Sequence, residues 1–283
     1  MFILIFEECF YILHLISYFV KNHHLVVCGT SILDNYSRIP TISDEDKRIC
    51  LDDAEVRKRS SPADPFFIRV YEYLLKDPWK ASAELNAMRK YLDEGLVDEV
   101  YLYHTDTGKG TFCALIIEKY LSYAYTLRVN SIRVEGFGLM EFFEDGLVNL
   151  LDKLMSKIHE LTKTKCKIYL NATGGFKPEN AITVIAASLL NINEIYYIHE
   201  RFAEPIKIPI LPITITPKYT KILKELYEYH KLHGFASKTR IEEIYGSETL
   251  NELKDRNLVK EENGKIILRK WTRTIIKYIN LPE

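Results

Sequence analysis

The sequence predicts an α/β protein built on a doubly wound, mainly parallel sheet, with a small second domain after it. Three observations predict it. Short apolar runs alternate with stretches of helical spacing, the pattern of parallel βαβ units. A proline-rich run, "EPIKIPILPITITPK", then breaks that rhythm. Beyond it come three helical stretches, a hairpin and a closing run, an order that predicts a winged helix-turn-helix.

Taken in order, "HLVVCGT" reads as a buried strand and "SILDNYSRI" as the start of the helix behind it. The charged run "DEDKRICLDDAEVRKRSSPADP" predicts a surface helix and loop. "FFIRVYEYLLKDP" and "KASAELNAMRKYLDEG" carry helical spacing, and Gly95 stops the second. "VDEVYLYHTD" is the next strand, with a loop from Thr105 to Gly110 before the helix "TFCALIIEKYLSY". "TLRVNSIRVEGF" gives a strand and "GLMEFFEDGLVNLLDKLMSKIHELTKT" an amphipathic helix. "CKIYLNA" and "EIYYIHE" bracket a helix begun at Pro178. The prolines of the connector exclude helix and central strand, leaving an extended link or an edge ladder. "YTKILKELYEYHKLH", "KTRIEEIY", "SETLNELKDRNL", the hairpin "VKEENGKIIL" with its Asn263-Gly264 turn, and "RKWTRTIIKYI" complete the chain. The expected organisation is an apolar extension over 1–21, an α/β domain over 22–205, a connector over 206–217 and the winged helix-turn-helix over 218–283.

Composition restricts the function. The 283 residues can bury one large or two small cores. Lys plus Arg, 38, nearly balance Asp plus Glu, 39, so net charge does not steer the chain to polyanions and any anion site is local. Cys9, Cys28, Cys50, Cys113 and Cys166 form no C-x-x-C pair, which fits a reduced cytoplasmic protein with buried thiols. The chain has no glutamine, a bias that thermophiles share with AT-rich genomes. The opening "MFILIFEECFYILHLISYFV" is interrupted by Glu7, Glu8 and His14, and it lacks a basic flank and a cleavage site, so a signal peptide is not expected. Three readings of it stay open: a translation start placed too early, a helix docked on the body or a partner, or a membrane anchor.

In a doubly wound sheet, ligands collect beyond the carboxyl ends of the strands, where helix N-termini point. Cys28-Gly29-Thr30-Ser31 offers a tight turn, two hydroxyls and free N–H groups for a phosphate. Thr105-Asp106-Thr107-Gly108-Lys109-Gly110 is the second such loop. Alone, each is also explained as a capped turn. The third, Thr173-Gly174-Gly175-Phe176-Lys177, differs. Pro178 at the first helical position makes Lys177 the expected N-cap, and a lysine there adds positive charge to the positive end of the helix dipole. That arrangement is unfavourable unless an anion binds, and the glycine pair leaves room for close approach. No Walker loop and no G-x-G-x-x-G occurs, so nucleotide hydrolysis and dinucleotide binding lose their usual support.

With these residues assembled, the chain resembles the CRISPR-associated Rossmann-like fold (CARF) family over about residues 22–205. The resemblance rests on Gly29-Thr30-Ser31, on Ser82-Ala83-Glu84-Leu85, on Thr105-Asp106-Thr107 and above all on Asn171-Ala172-Thr173-Gly174-Gly175-Phe176-Lys177. In that family these loops bind cyclic oligoadenylates across a homodimer interface. Together with the C-terminal winged helix, the chain is similar to the ring nucleases that degrade cyclic tetra-adenylate. The resemblance implies catalytic roles for Ser31 and Lys177. The ligand contacts expected beside them are Gly29, Thr30, Asn35, Thr105, Asp106, Thr107, Lys109, Asn171, Thr173, Gly174, Gly175 and Phe176. The chemistry needs an aligned 2′-OH and a cation on the developing phosphorane charge. Ser31 would position the ribose or donate to phosphate; with no histidine near it in the motif, a role as base is not expected. With no metal-ligand cluster in the sequence, cleavage is expected without a metal or other cofactor, giving linear products that end in 2′,3′-cyclic phosphate.

Two rivals remain. One is a ligand-controlled transcription regulator; residues 218–283 hold fourteen Lys or Arg against ten Asp or Glu. Glu248, Glu252 and Asp255 on the presumed recognition helix disfavour DNA, while Lys265, Arg269, Lys270 and Arg273 near the wing could contact phosphates. The other is a sensor that binds without cleaving. A HEPN ribonuclease is excluded, since no arginine is followed four to six residues later by histidine, and His230 with His233 lacks the partners of a metal site. Membrane binding is not expected.

Overall fold

The computed structural model describes residues 20–136, 143–175, 177–199 and 204–279. Its centre is a six-stranded sheet made of β1 (Lys21–Cys28), β2 (Glu99–Thr105), β3 (Arg128–Val134), β4 (Cys166–Asn171), β5 (Glu194–Tyr197) and β6 (Ile206–Ile208), in the order β3-β2-β1-β4-β5-β6. The first five strands are parallel and β6 runs antiparallel at the edge beside β5. The doubly wound, mainly parallel, Rossmann-like sheet is therefore observed. Strand order reverses between β1 and β4, which is where such sheets open a crevice.

β1 illustrates why these runs are apolar without alternation. Val26 and Cys28 enter the core on one face, while Leu25 and Val27 enter the core on the other, so both faces are covered. The first face carries α1 (Ser31–Ser37), α2 (Asp44–Leu51), α3 (Asp53–Lys58), α4 (Pro65–Lys76), α5 (Pro78–Ala81), α6 (Ala83–Asp93) and α7 (Gly108–Ala124). The second carries α8 (Phe143–Leu161) and α9 (Lys177–Leu189). At the centre of the sheet His24 is buried, with Nε2 2.9 Å from the Leu96 carbonyl and Nδ1 2.8 Å from the Tyr196 hydroxyl. A carbonyl only accepts, so the proton sits on Nε2 and Tyr196 donates to Nδ1.

Three local expectations change, and one that was left open is decided. The charged run after Ile42 is two helices that bury Ile49, Cys50 and Val56. It is anchored by Asp46, which accepts from Arg69 Nε at 2.9 Å, Arg69 Nη2 at 2.6 Å and Tyr36 OH at 2.6 Å. Burial works against the Asp46 charge, but those hydrogen bonds outweigh it and hold the carboxyl below its ordinary range. The single helix expected over 80–94 is split, because Ser82 caps a new helix by accepting from Leu85 N. α7 begins at Gly108, so the second loop is shorter than Thr105–Gly110. The connector places Ile206–Ile208 on the sheet edge, the ladder alternative.

After the connector come α10 (Pro217–His233), β7 (Ala236–Ser237), α11 (Lys238–Tyr245), α12 (Ser247–Asp255), β8 (Val259–Glu262), β9 (Lys265–Leu268) and α13 (Lys270–Tyr278). β7, a two-residue strand with no signal in the sequence, joins the hairpin in a three-stranded antiparallel sheet, β7-β9-β8. Asn263 and Gly264 both have positive φ, as the two-residue turn requires. These elements share a separate core around Leu223, Leu226, Ile241, Leu253 and Ile266. α13 also rests on α8, where Tyr278 OH and Lys277 Nζ both donate to Asp152. Cys28, Cys50, Cys113 and Cys166 are free thiols. The expectations for the N-terminal extension fall almost wholly outside the described residues, as does Cys9. Among the described residues no helix is long and apolar enough to cross a membrane.

Candidate functional site

The carboxyl ends of β1, β2 and β4 open into a cavity of about 660 Å³. Nine residues singled out by the sequence line it: Gly29, Thr30 and Ser31 after β1, Thr105, Thr107 and Lys109 after β2, and Thr173, Gly174 and Gly175 after β4. The sheet order thus brings three distant loops to one place.

The other expected residues lie elsewhere. Asn35 donates through Nδ2 to the carbonyls of Lys80 (3.2 Å) and Ala81 (3.1 Å), tying α1 to α5. Asp106 is paired with Arg133 at 2.5 Å, and its carbonyl accepts from Arg57. Asn171 is fully buried and supports the third loop: its Nδ2 donates to the Glu84 carbonyl and its Oδ1 accepts from Thr173 N, each at 3.1 Å. Lys177 is exposed at the mouth of α9. It is the first helical residue, where the sequence placed it as the cap, and Pro178 is the second. Phe176 lies outside the described residues.

Sequence reasoning missed the carboxylates. Glu84, 1 % exposed at the start of α6, accepts from Gly29 N at 2.8 Å, from Ser31 Oγ at 3.0 Å and from Ser82 Oγ at 2.8 Å. Ser31 Oγ also accepts from Ala83 N at 3.2 Å. Its proton is therefore committed to Glu84, and one lone pair remains for the cavity. Asp53, at the start of α3, accepts from Gly108 N at 2.8 Å and Lys109 N at 2.9 Å, while Thr107 caps Gly110 N at 3.0 Å. At the first loop the N-terminus of α1, where the sequence expected free N–H groups for a phosphate, carries no side-chain cap, while donors beside it are taken. Gly29 donates to Glu84, and the first turn of α7 donates to Asp53.

Of the glycine pair, Gly175 has the positive φ that the sequence expected, while the room expected at Gly174 is taken. A Cβ on Gly174 would lie 2.3 Å from the Val27 carbonyl oxygen, 2.5 Å from Glu84 Oε1 and 2.8 Å from Gly29 N. The space at Gly174 is filled by the first loop and Glu84, so this glycine clasps two loops together. Gly175 has φ +84°, a conformation that favours glycine, and its Cβ would meet Glu179 Oε2 and Val27 Cγ1 at 2.8 Å.

Asp34, Asp53, Glu84 and the buried Glu179 line the cavity, against the half-buried Lys109. Thr30 Oγ1 donates to Asp34 at 3.0 Å. Below this floor, burial pushes the Cys28 thiol far up its scale, with Glu84 adding to the effect, so the thiol stays protonated. Among the described residues no group of three or more His, Cys, Asp or Glu is placed to hold a metal ion. The cavity therefore offers acceptors at its floor and one cation, Lys109, in its lining. That polarity suits a ligand with hydroxyl or amino donors on one side and phosphates on the other.

Residues 79–211 match the model of a family described as CRISPR-associated protein (Cas_APE2256). The matched span begins at α5 and runs past β6, so it contains Glu84, the second and third loops and Lys177, while Gly29-Thr30-Ser31 precedes it. Over that span the chain is similar to a CRISPR-associated family.

Proposed function

We propose that this protein is a ring nuclease of a type III CRISPR system, binding cyclic tetra-adenylate and opening it without a metal or other cofactor. The observation that carries the reading is the hydrogen bond from Ser31 to the buried Glu84 at the floor of a three-loop cavity. A 660 Å³ cavity suits one ligand of drug size and is too small for a ring of four nucleotides. The ring accordingly sits between two copies of the chain related by a two-fold axis.

The chemistry follows from the floor and rim. A ribose 2′-OH donates to the spare lone pair of Ser31 Oγ. As the 2′-oxygen attacks phosphorus, its proton passes to Ser31 while the Ser31 proton passes to Glu84. The P–O5′ bond breaks and the proton held by Glu84 returns through Ser31 to the leaving 5′-oxygen, leaving a 2′,3′-cyclic phosphate. Glu84 supplies the base that the sequence lacked. Lys177 and Lys109 stabilise the charge that gathers on the phosphorane.

Residues 218–283 are read as a winged helix-turn-helix domain, supported by their element order and separate core. Glu252 on α12 is neutralised by Lys218 at 2.7 Å and bonded by Tyr219, which removes part of the charge that disfavoured DNA. The regulator and sensor readings are therefore tested beside the nuclease. Purified protein is incubated with labelled cyclic tetra-adenylate in EDTA. Linear products with 2′,3′-cyclic ends support the nuclease; an intact ring bound to the protein supports the sensor or regulator, and an intact unbound ring rejects all three.

A further inference from the structure

Arg269 and Arg273 lie one helical turn apart at the start of α13, and both line a second cavity of about 440 Å³ with Lys260 and Lys270. Their neighbours are paired: Lys270 with Asp145, Lys260 with Glu262 at 2.6 Å, and Lys277 with Asp152 at 3.1 Å. Among the described residues neither arginine has a carboxylate partner, and the Nε of each is buried with no hydrogen-bond partner. Arg273 Nη1 instead donates to His230 Nε2 at 2.5 Å, and the Arg269 guanidinium lies 5.8 Å from the centre of the Trp271 ring. An imidazole that accepts from a guanidinium is neutral, and burial followed by the charge of Arg273 keeps the His230 pKa below its ordinary value.

Buried donors left unfilled are costly, and a guanidinium presents them as a planar fork. Both arginines line one cavity, and the guanidinium donors not held elsewhere match an acceptor-only group with oxygens in several directions, which is the geometry of phosphate. We propose that Arg269 and Arg273 form a phosphate-binding site, separate from the three-loop cavity. The facing wall carries Glu144 and Asp145, and Asp145 is already neutralised by Lys270. Glu144 sets a limit on how much negative charge can lie across the opening. The phosphate can belong to a small phosphorylated molecule or to a nucleic-acid backbone.

The test is calorimetric titration of the full chain with inorganic phosphate, and separately with a short mixed-sequence DNA duplex, at constant ionic strength set by chloride. The double variant R269K/R273K keeps both charges and removes both forks, and its thermal melting confirms that it is folded. The expected result is saturable binding of one phosphate per chain, weakened about tenfold or more in the double variant. If the duplex also binds, competes with phosphate and weakens by a similar factor, the backbone is the source. If phosphate binds and the duplex does not, the source is a small phosphorylated molecule. Absence of saturable binding by both probes, or equal binding by native and double-variant protein, overturns the proposal.

Discussion

Ser31 Oγ donates to Glu84 Oε2 at 3.0 Å, joining the first loop to a helix that starts more than fifty residues later. If Glu84 takes the proton of the attacking hydroxyl through Ser31, Glu84→Gln should lower the single-turnover rate about 10²-fold or more and change ring affinity little. Ser31→Ala should give a similar loss, and the double variant should be no worse than the poorer single one, because the two act as a unit. Additive losses would separate their roles.

Lys177 opens α9, where the helix dipole disfavours a cation. Lys177→Asp should stabilise the ligand-free protein by about 0.3–1 kcal/mol, read by thermal melting at low salt. If Lys177 stabilises the phosphorane charge as proposed, the same change should lower cleavage by about 10² or more, since it puts an anion there. A less stable variant would show that Lys177 makes a supporting contact in the empty protein.

Gly174→Ala should cost about 1–3 kcal/mol, because its Cβ would lie 2.3 Å from the Val27 carbonyl oxygen and 2.5 Å from Glu84 Oε1. Urea denaturation measures the loss. Cleavage should fall as well, since relief of the clash requires Glu84 or the first loop to move.

Stability should decline in mild acid. Burial is the main cause that lowers the His24 pKa, from 6.5 to about 4, so between those values the unfolded chain binds a proton that the native chain does not. Stability is therefore full above pH 6.5 and falls as pH drops toward 4. For this one residue the loss from pH 7 to pH 5 is about 2 kcal/mol. Burial lowers His23 and His104 as well, and these contribute with the same sign. Urea melts at the two pH values check the slope, and His24→Phe should flatten it.

The sheet was legible in the sequence because its central strands carry apolar runs, and Leu25, Val26, Val27 and Cys28 can all be buried only if helices cover both faces. The cavity was legible because its loops follow β1, β2 and β4, whose polar ends stand out from those runs. What could not be read is the pairing across long separations. Asp53 looks like one acid among many in a charged stretch, and Glu84, though part of a motif that carried the resemblance, was given no role of its own. Only the packing of α3 against α7 and of α6 against β1 aims them at backbone donors. Lys177 was displaced by one position because Pro178 fits either of the first two helical places equally well.

The carboxylates of Asp53 and Glu84 also bear on what the site ignores. Inorganic phosphate and free nucleotides are abundant in any cell and compete for every open loop of backbone donors. Here the donors of Gly29, Gly108 and Lys109 are held by the chain's own acids. A lone phosphate arriving at that floor meets negative charge and finds those hydrogen bonds taken.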